Sequence, residues 1–140
     1  MKLKVRKIHK DAKLPDYGHQ GDAGLDLFAC IRMELKPLAP AAVPTGIQMA
    51  VPDGFAGLIW DKSGLSLQGV HRLAGVVDAG YRGEVKVVLV NLSRETIVIE
   101  KGMKIAQMLI QPVAGVTIEE TRELDKTVRG EGGFGSTGRY

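Results

Sequence analysis

Val85-Lys86-Val87-Val88-Leu89-Val90-Asn91 decides the fold: nearly every residue is β-branched or apolar, which marks a β-strand. Working outward, the pattern on both sides is strand, turn, strand. Thr96 to Ile99 follows after a polar turn, and Glu100-Lys101-Gly102 turns into a longer apolar run, 103–113. Val116-Thr117-Ile118 then reads as the last core strand. Upstream, Pro52-Asp53-Gly54 is a strong turn signal before an extended 55–60. The stretch 43–51 also reads as extended, with Pro44 arguing for an edge or a strand start. Leu25-Asp26-Leu27-Phe28 starts a short strand, Leu3 and Val5 begin an alternating one, and 11–21 is a polar loop. Helical periodicity is poor throughout, the best candidate being the two turns at 63–68. Strands at this spacing imply an all-β sandwich, barrel or jelly roll.

A chain of 140 residues, 44% hydrophobic and 25% charged, is expected to form one globular domain. Residues 1–118 read as a β core, and 119–140 as a polar linker and a glycine-rich flap. A formal charge of +3 suits a small polyanion better than DNA or RNA. The alternating charges of Lys2-Leu3-Lys4-Val5-Arg6-Lys7 read as a solvated strand face. Cys30, the only cysteine, reads as a small buried hydrophobe, and no Cys/His spacing suggests a metal site. No apolar run approaches membrane-spanning length and the N-terminus lacks a signal-peptide core, so the cytoplasm is the expected compartment.

The tail, Arg129-Gly130-Glu131-Gly132-Gly133-Phe134-Gly135-Ser136-Thr137-Gly138, sets one aromatic among glycines, with a cation before it and two hydroxyls after it. Glycine lets backbone N–H groups approach an anion closely. Arginine offers a planar fork for phosphate oxygens, and Phe134 a face on which a base can stack. The stretch reads as a flap closing over a nucleotide. Its polar linker would carry it away from its own core, so a site at a subunit boundary suits it best.

Four further clusters bear on chemistry. In Asp22-Ala23-Gly24-Leu25-Asp26-Leu27, Asp26 points away from its leucine neighbours; it is either solvated or an outer-sphere contact for Mg²⁺. Asp61-Lys62-Ser63-Gly64-Leu65-Ser66 follows a strand and opens a short helix, which is either an ordinary cap or a phosphate site. In 75–85 an apolar strand ends on Asp78, and Val85 resumes a strand, reading as a hairpin with Asp78 and Tyr81 at its tip. A turn carboxylate is usually an Asx turn, but it can also accept a proton from water. Gln107, an amide amid apolar residues, needs partners: backbone groups or a phosphate oxygen.

In their order and length these five segments closely resemble the five motifs of the trimeric dUTP pyrophosphatase (dUTPase) family, over nearly the whole chain. The resemblance implies a distorted β jelly roll with one short helix. It implies a homotrimer whose C-terminal arm reaches a neighbouring subunit, with sites at the subunit interfaces. It also implies cleavage of dUTP to dUMP and pyrophosphate with Mg²⁺, which keeps uracil out of DNA. By motif, Asp78 would activate the water attacking the α-phosphorus, and Asp26 would hold magnesium through water. Arg72, Val76, Val77, Tyr81, Lys86 and Phe134 would bind the nucleoside, the 73–86 backbone reading the uracil edge. Lys62, Ser63, Gly64, Gln107, Arg129, Ser136 and Thr137 would take the phosphates. The second motif usually reads Pro-Arg-Ser-Gly; here it is Asp61-Lys62-Ser63-Gly64, and Lys62 cannot make a bidentate contact. Arg72 stands where many bacterial relatives have asparagine.

Rival readings are a dCTP deaminase on the same fold, a non-catalytic deoxynucleotide-binding protein and a small nucleic-acid-binding barrel. The deaminases carry a glutamate where this chain has Val88, a non-catalytic module could dispense with Asp78 or the tail, and a nucleic-acid barrel needs exposed aromatics.

Overall fold

A computed structural model describes residues 1–138. In chain order the described residues form β1 Lys4–Lys7, β2 Asp16–Tyr17, β3 Leu25–Phe28, β4 Met33–Leu35, β5 Ala41–Ala50 and β6 Phe55–Trp60. One helical turn, α1 Ser63–Ser66, precedes β7 Val70–Leu73, β8 Val76–Val77, β9 Glu84–Asn91, β10 Ile97–Ile99 and β11 Lys104–Pro112. Two antiparallel sheets, β1-β5-β9-β7 and β2-β3-β11-β6-β8, carry the architecture, with β10-β4 as a small third. None closes into a barrel.

Alternation explains the packing. Val85, Val87 and Leu89 of β9 are buried beside Val43, Ile47 and Met49 of β5. Leu27, Ile59, Ala106 and Met108 come from the other sheet, and all share one apolar cluster. Cys30 is buried as expected, and burial pushes its thiol pKa up.

Pro44 sits where β5 is locally an edge, although the strand as a whole lies inside its sheet. It lies in β5 opposite Lys86 of β9, but β1 pairs only with residues 47–50, so the missing N–H leaves no ladder bond unmade. A register shift follows at once. Gly46 there has φ +69°, and a Cβ would come within 2.6 Å of His9 Cβ and 2.9 Å of Ala12 Cβ.

Asn91 ends β9 fully buried, with every polar valence met. Its Nδ2 donates to Leu35 O at 2.8 Å and Glu95 O at 2.7 Å, while Oδ1 accepts from Ser93 N at 2.9 Å and Ser93 Oγ at 2.7 Å. Asn91→Ala strands these partners in the core and is expected to destabilise the fold by about 3 kcal/mol, read from the urea midpoint.

The expected hairpin over 75–85 divides instead. Strand β7 pairs with β9, Leu73 lying opposite Val88, whereas β8 turns into the other sheet and pairs with β6, Val77 opposite Gly57. Gly75 anchors the crossing by accepting the Ile59 N–H at 2.8 Å. The sheets therefore part between β8 and β9. The expected strand at 116–118 does not form: β11 ends at Pro112, and Val116 and Ile118 are exposed and belong to no strand.

Candidate active site

Where the sheets part lies a cleft of about 380 Å³, lined by Leu73 to Asp78, Tyr81 and Glu84 to Val88, with Ile59 at its base. Two backbone edges face it. Strand β8 is the last strand of its sheet, and β9 from Glu84 to Val87 has β5 on one side and no strand on the other. Asp78 follows β8 at the cleft wall; it is exposed, and its carboxylate bonds to no described side chain. Its carbonyl accepts the Tyr81 N–H at 3.1 Å, a tight turn that orients the ring. The Tyr81 hydroxyl donates to Glu84 O at 2.9 Å, and the ring lies so close on Gly83 that any Cβ there would collide with it. Val76, Val77, Asp78, Tyr81 and Lys86 thus share one cleft. Arg72 does not line it: its guanidinium stacks on Trp60, 4.9 Å from the ring centroid, and donates to Ala74 O at 2.7 Å.

A second group gathers on the β3-β11-β6 sheet. Pairing sets Asp26, Gln107 and Trp60 in one row, and Lys62, Ser63 and Gly64 follow directly after β6. The Gln107 Nε2 donates to Asp61 O at 2.9 Å, the backbone partner among the two that a half-buried amide needed. Gly24 makes room for it, since a Cβ there would overlap the Gln107 amide. Asp61 also ties the loop to β7: Oδ1 accepts Arg72 N–H at 2.7 Å, and Oδ2 lies 3.1 Å from His71 Nδ1. Ser63 and Gly64 are exposed at the start of α1, where backbone N–H groups lack intrahelical partners.

Asp26 is only 3% exposed and holds two ammonium groups at 2.7 Å, Lys62 on Oδ1 and Lys104 on Oδ2. Nothing in the sequence singled out Lys104, since pairing across strands has no local signature. Burial raises the Asp26 pKa, but the hydrogen bonds and charges of Lys104 and Lys62 outweigh it, so it lies below the ordinary 3.8. The Asp26 bond in turn raises the Lys104 pKa. A carboxylate with a lowered folded pKa stabilises fully above the unfolded pKa, and that contribution disappears as pH falls through the folded one. Thermal melts from pH 7 to pH 3 are therefore expected to show a shallower acid loss for Asp26→Asn than for wild type, the two curves running parallel at neutral pH and converging as pH falls below about 4.

The arm stands apart. Residues 119–138 are exposed almost throughout, and the hydrogen bonds of 114–138 stay within that stretch among the described residues. Arg129 Nε donates to Gly132 O at 2.9 Å, and Phe134 is fully exposed. Ser136 and Thr137 lie at the same glycine turns. One copy therefore presents three groups: the cleft, the lysine-flanked row and the arm.

Two open, facing sheets with a cleft at their parting define a distorted jelly roll. The dUTPase family model matches residues 10–138. The deoxyuridine 5'-triphosphate nucleotidohydrolase of Clostridium kluyveri is 50% identical over 141 residues, covering 99% of both chains. That of Clostridium acetobutylicum is 48% identical, covering 97% of this chain and 96% of its own. A mutant dUTPase of Staphylococcus bacteriophage 80alpha, solved with dUpNHpp, superposes with a TM-score of 0.90 at 29% identity, covering 98% of each chain. A mutant dUTPase of S. aureus phage phi11, described with a structural Mg(II) ion, gives 0.82 at 26%, covering 88% of this chain and 98% of that one. The chain belongs to the dUTPase family.

Proposed function

We propose that this chain hydrolyses dUTP to dUMP and pyrophosphate, at sites that copies of it complete together. The observation that carries this reading is the cleft between β8 and β9, where two backbone edges without strand partners face each other beside Asp78. A uracil edge supplies the alternating donors and acceptors that such edges lack, and a backbone lying close along the base would reject a methyl at C5. Tyr81, held by Glu84 O and pressed on Gly83, packs flat against the deoxyribose and excludes a 2′-hydroxyl. Lys86 borders the same pocket. Asp78 accepts a proton from the water that attacks the α-phosphorus in line.

The triphosphate needs neutralising charge and backbone donors. Ser63 and Gly64 supply N–H groups at α1, Lys62 an ammonium and Gln107 an amide. The arm adds the Arg129 fork, the Ser136 and Thr137 hydroxyls and the Phe134 face over the base. The cleft lining includes none of the phosphate-side residues, and among the described residues the arm makes no hydrogen bond to the core of its own chain. A homotrimer, each site drawing on different copies, unites the three groups. On this reading residues 1–118 are the body and 119–140 the linker and flap.

The residues fit magnesium held through water. A Cβ on Gly18 would lie 3.1 Å from Asp22 Oδ2, 3.7 Å from Asp26 Oδ2 and 3.9 Å from Lys104 Nζ, so two carboxylates converge there beside one ammonium, and the waters of an ion would share Asp26 with Lys62 and Lys104. Among the described residues no three His, Cys, Asp or Glu groups gather to hold an ion alone, which suits an ion bound largely by phosphates and water. When bound, magnesium would supply charge neutralisation to the phosphates, and Asp26 would hold its waters by hydrogen bonds. Among the described residues no helix is long and apolar enough to cross a membrane, and a cytoplasmic enzyme fits a lone buried thiol.

The test is pyrophosphate release from dUTP, dCTP, dTTP, dATP, dGTP and UTP with Mg²⁺. Turnover confined to dUTP is expected; ammonia release from dCTP, or equal rates with dTTP, would defeat the reading.

A further inference from the structure

The geometry points to Arg72 as a positioning residue that shapes the nucleoside cleft from behind by holding Ala74 in a left-handed conformation. The inference rests on the reading of the cleft given above. Ala74 has φ +60°, a strained value for a residue with a Cβ, and Gly75 beside it has φ +134°. Both line the cleft. Such strain persists only where neighbours over-determine it. On one side, Ile59 N–H donates to Gly75 O at 2.8 Å, and a Cβ on Gly75 would come within 2.9 Å of Ile59 O. On the other, Arg72 Nη1 donates to Ala74 O at 2.7 Å.

The Arg72 side chain is itself fixed. Its guanidinium lies 4.9 Å from the Trp60 ring centroid, on a separate hollow lined by Leu58, Trp60, Ala74 and Val76. Its backbone N–H donates to Asp61 Oδ1 at 2.7 Å, and its buried Nε, 4.0 Å from Asp61 Oδ2, has no hydrogen-bond partner. The Ala74–Gly75 wall thus has the cleft on one face and the Arg72–Trp60 stack on the other. Without the guanidinium, Ala74 relaxes toward negative φ and carries the backbone of Val76 away from the base.

Strain separates this role from direct contact. Arg72→Ala is expected to raise KM for dUTP about tenfold with kcat within about twofold, and to weaken deoxyuridine binding by the same factor, since the damage lies at the base and not at the phosphates. Arg72→Lys, which keeps the charge but not the planar fork, is expected to fall between it and wild type. Glycine adopts φ +60° without strain, so Arg72→Ala/Ala74→Gly is expected to recover KM to within about threefold of wild type. Thermal melts confirm folding, and Arg72→Lys with Arg72→Lys/Ala74→Gly repeats the comparison if Arg72→Ala does not fold. A double variant as impaired as the single one, or single variants with unchanged KM, overturns the proposal. Wild-type protein that releases no pyrophosphate from dUTP overturns the functional reading instead.

Discussion

Asp78→Asn is expected to lower kcat for dUTP roughly a thousandfold while leaving the affinity for a non-hydrolysable dUTP analogue within about threefold. The amide is nearly isosteric, so the Asp78–Tyr81 turn, made by the Asp78 carbonyl, survives the change. What disappears is an acceptor for the proton of the attacking water. Asp78 is exposed at the cleft wall and its carboxylate bonds to no described side chain, so its charge is available to a water and does not serve the fold. Single-turnover pyrophosphate release and analogue titration measure the two quantities separately. An unchanged rate would remove Asp78 from the chemistry, and equal losses of rate and affinity would make it a binding residue.

Deleting 119–140 is the second large effect. It removes the Phe134 stack, worth about 1–3 kcal/mol, and the Arg129 phosphate contact, worth about 1.5–3 kcal/mol. Together these predict a loss of roughly 10²- to 10⁴-fold in kcat/KM. The cooperative melt of the body is expected to persist, because the arm makes no hydrogen bond to it among the described residues. Co-refolding the deletion variant with Asp78→Asn then asks whose arm closes which site. Recovered turnover is expected if, as proposed, one copy supplies the carboxylate and another the arm. A mixture as inactive as its parts would place both on the same copy.

Much of this fold is legible from local sequence. Strand β6 lies where the Pro52-Asp53-Gly54 turn put it, β3 spans the expected 25–28, and β9 needed only its β-branched run. Strands β4 and β7 carry no such signal: three and four residues long, they are made by their partners. The hairpin around Asp78 misled for a related reason. Two short apolar stretches joined by a glycine turn look paired, but β8 has a better partner in β6, and a local pattern does not name the sheet a strand joins.

Residue chemistry and motif order, read from the sequence alone, determined the family and the residues proposed for the site, from Asp78 and Tyr81 to the glycine-bound Phe134, because backbone freedom, charge and stacking faces are properties of the residues themselves. Tertiary structure alone decided how they are grouped. Lys104 meets Asp26 across strands, Arg72 turns onto Trp60 and away from the cleft, and the arm, among the described residues, stays exposed with no hydrogen bond to the body. These are outcomes of long-range packing, in which a side chain settles against whatever the topology brings beside it, and sequence spacing carries no record of that choice.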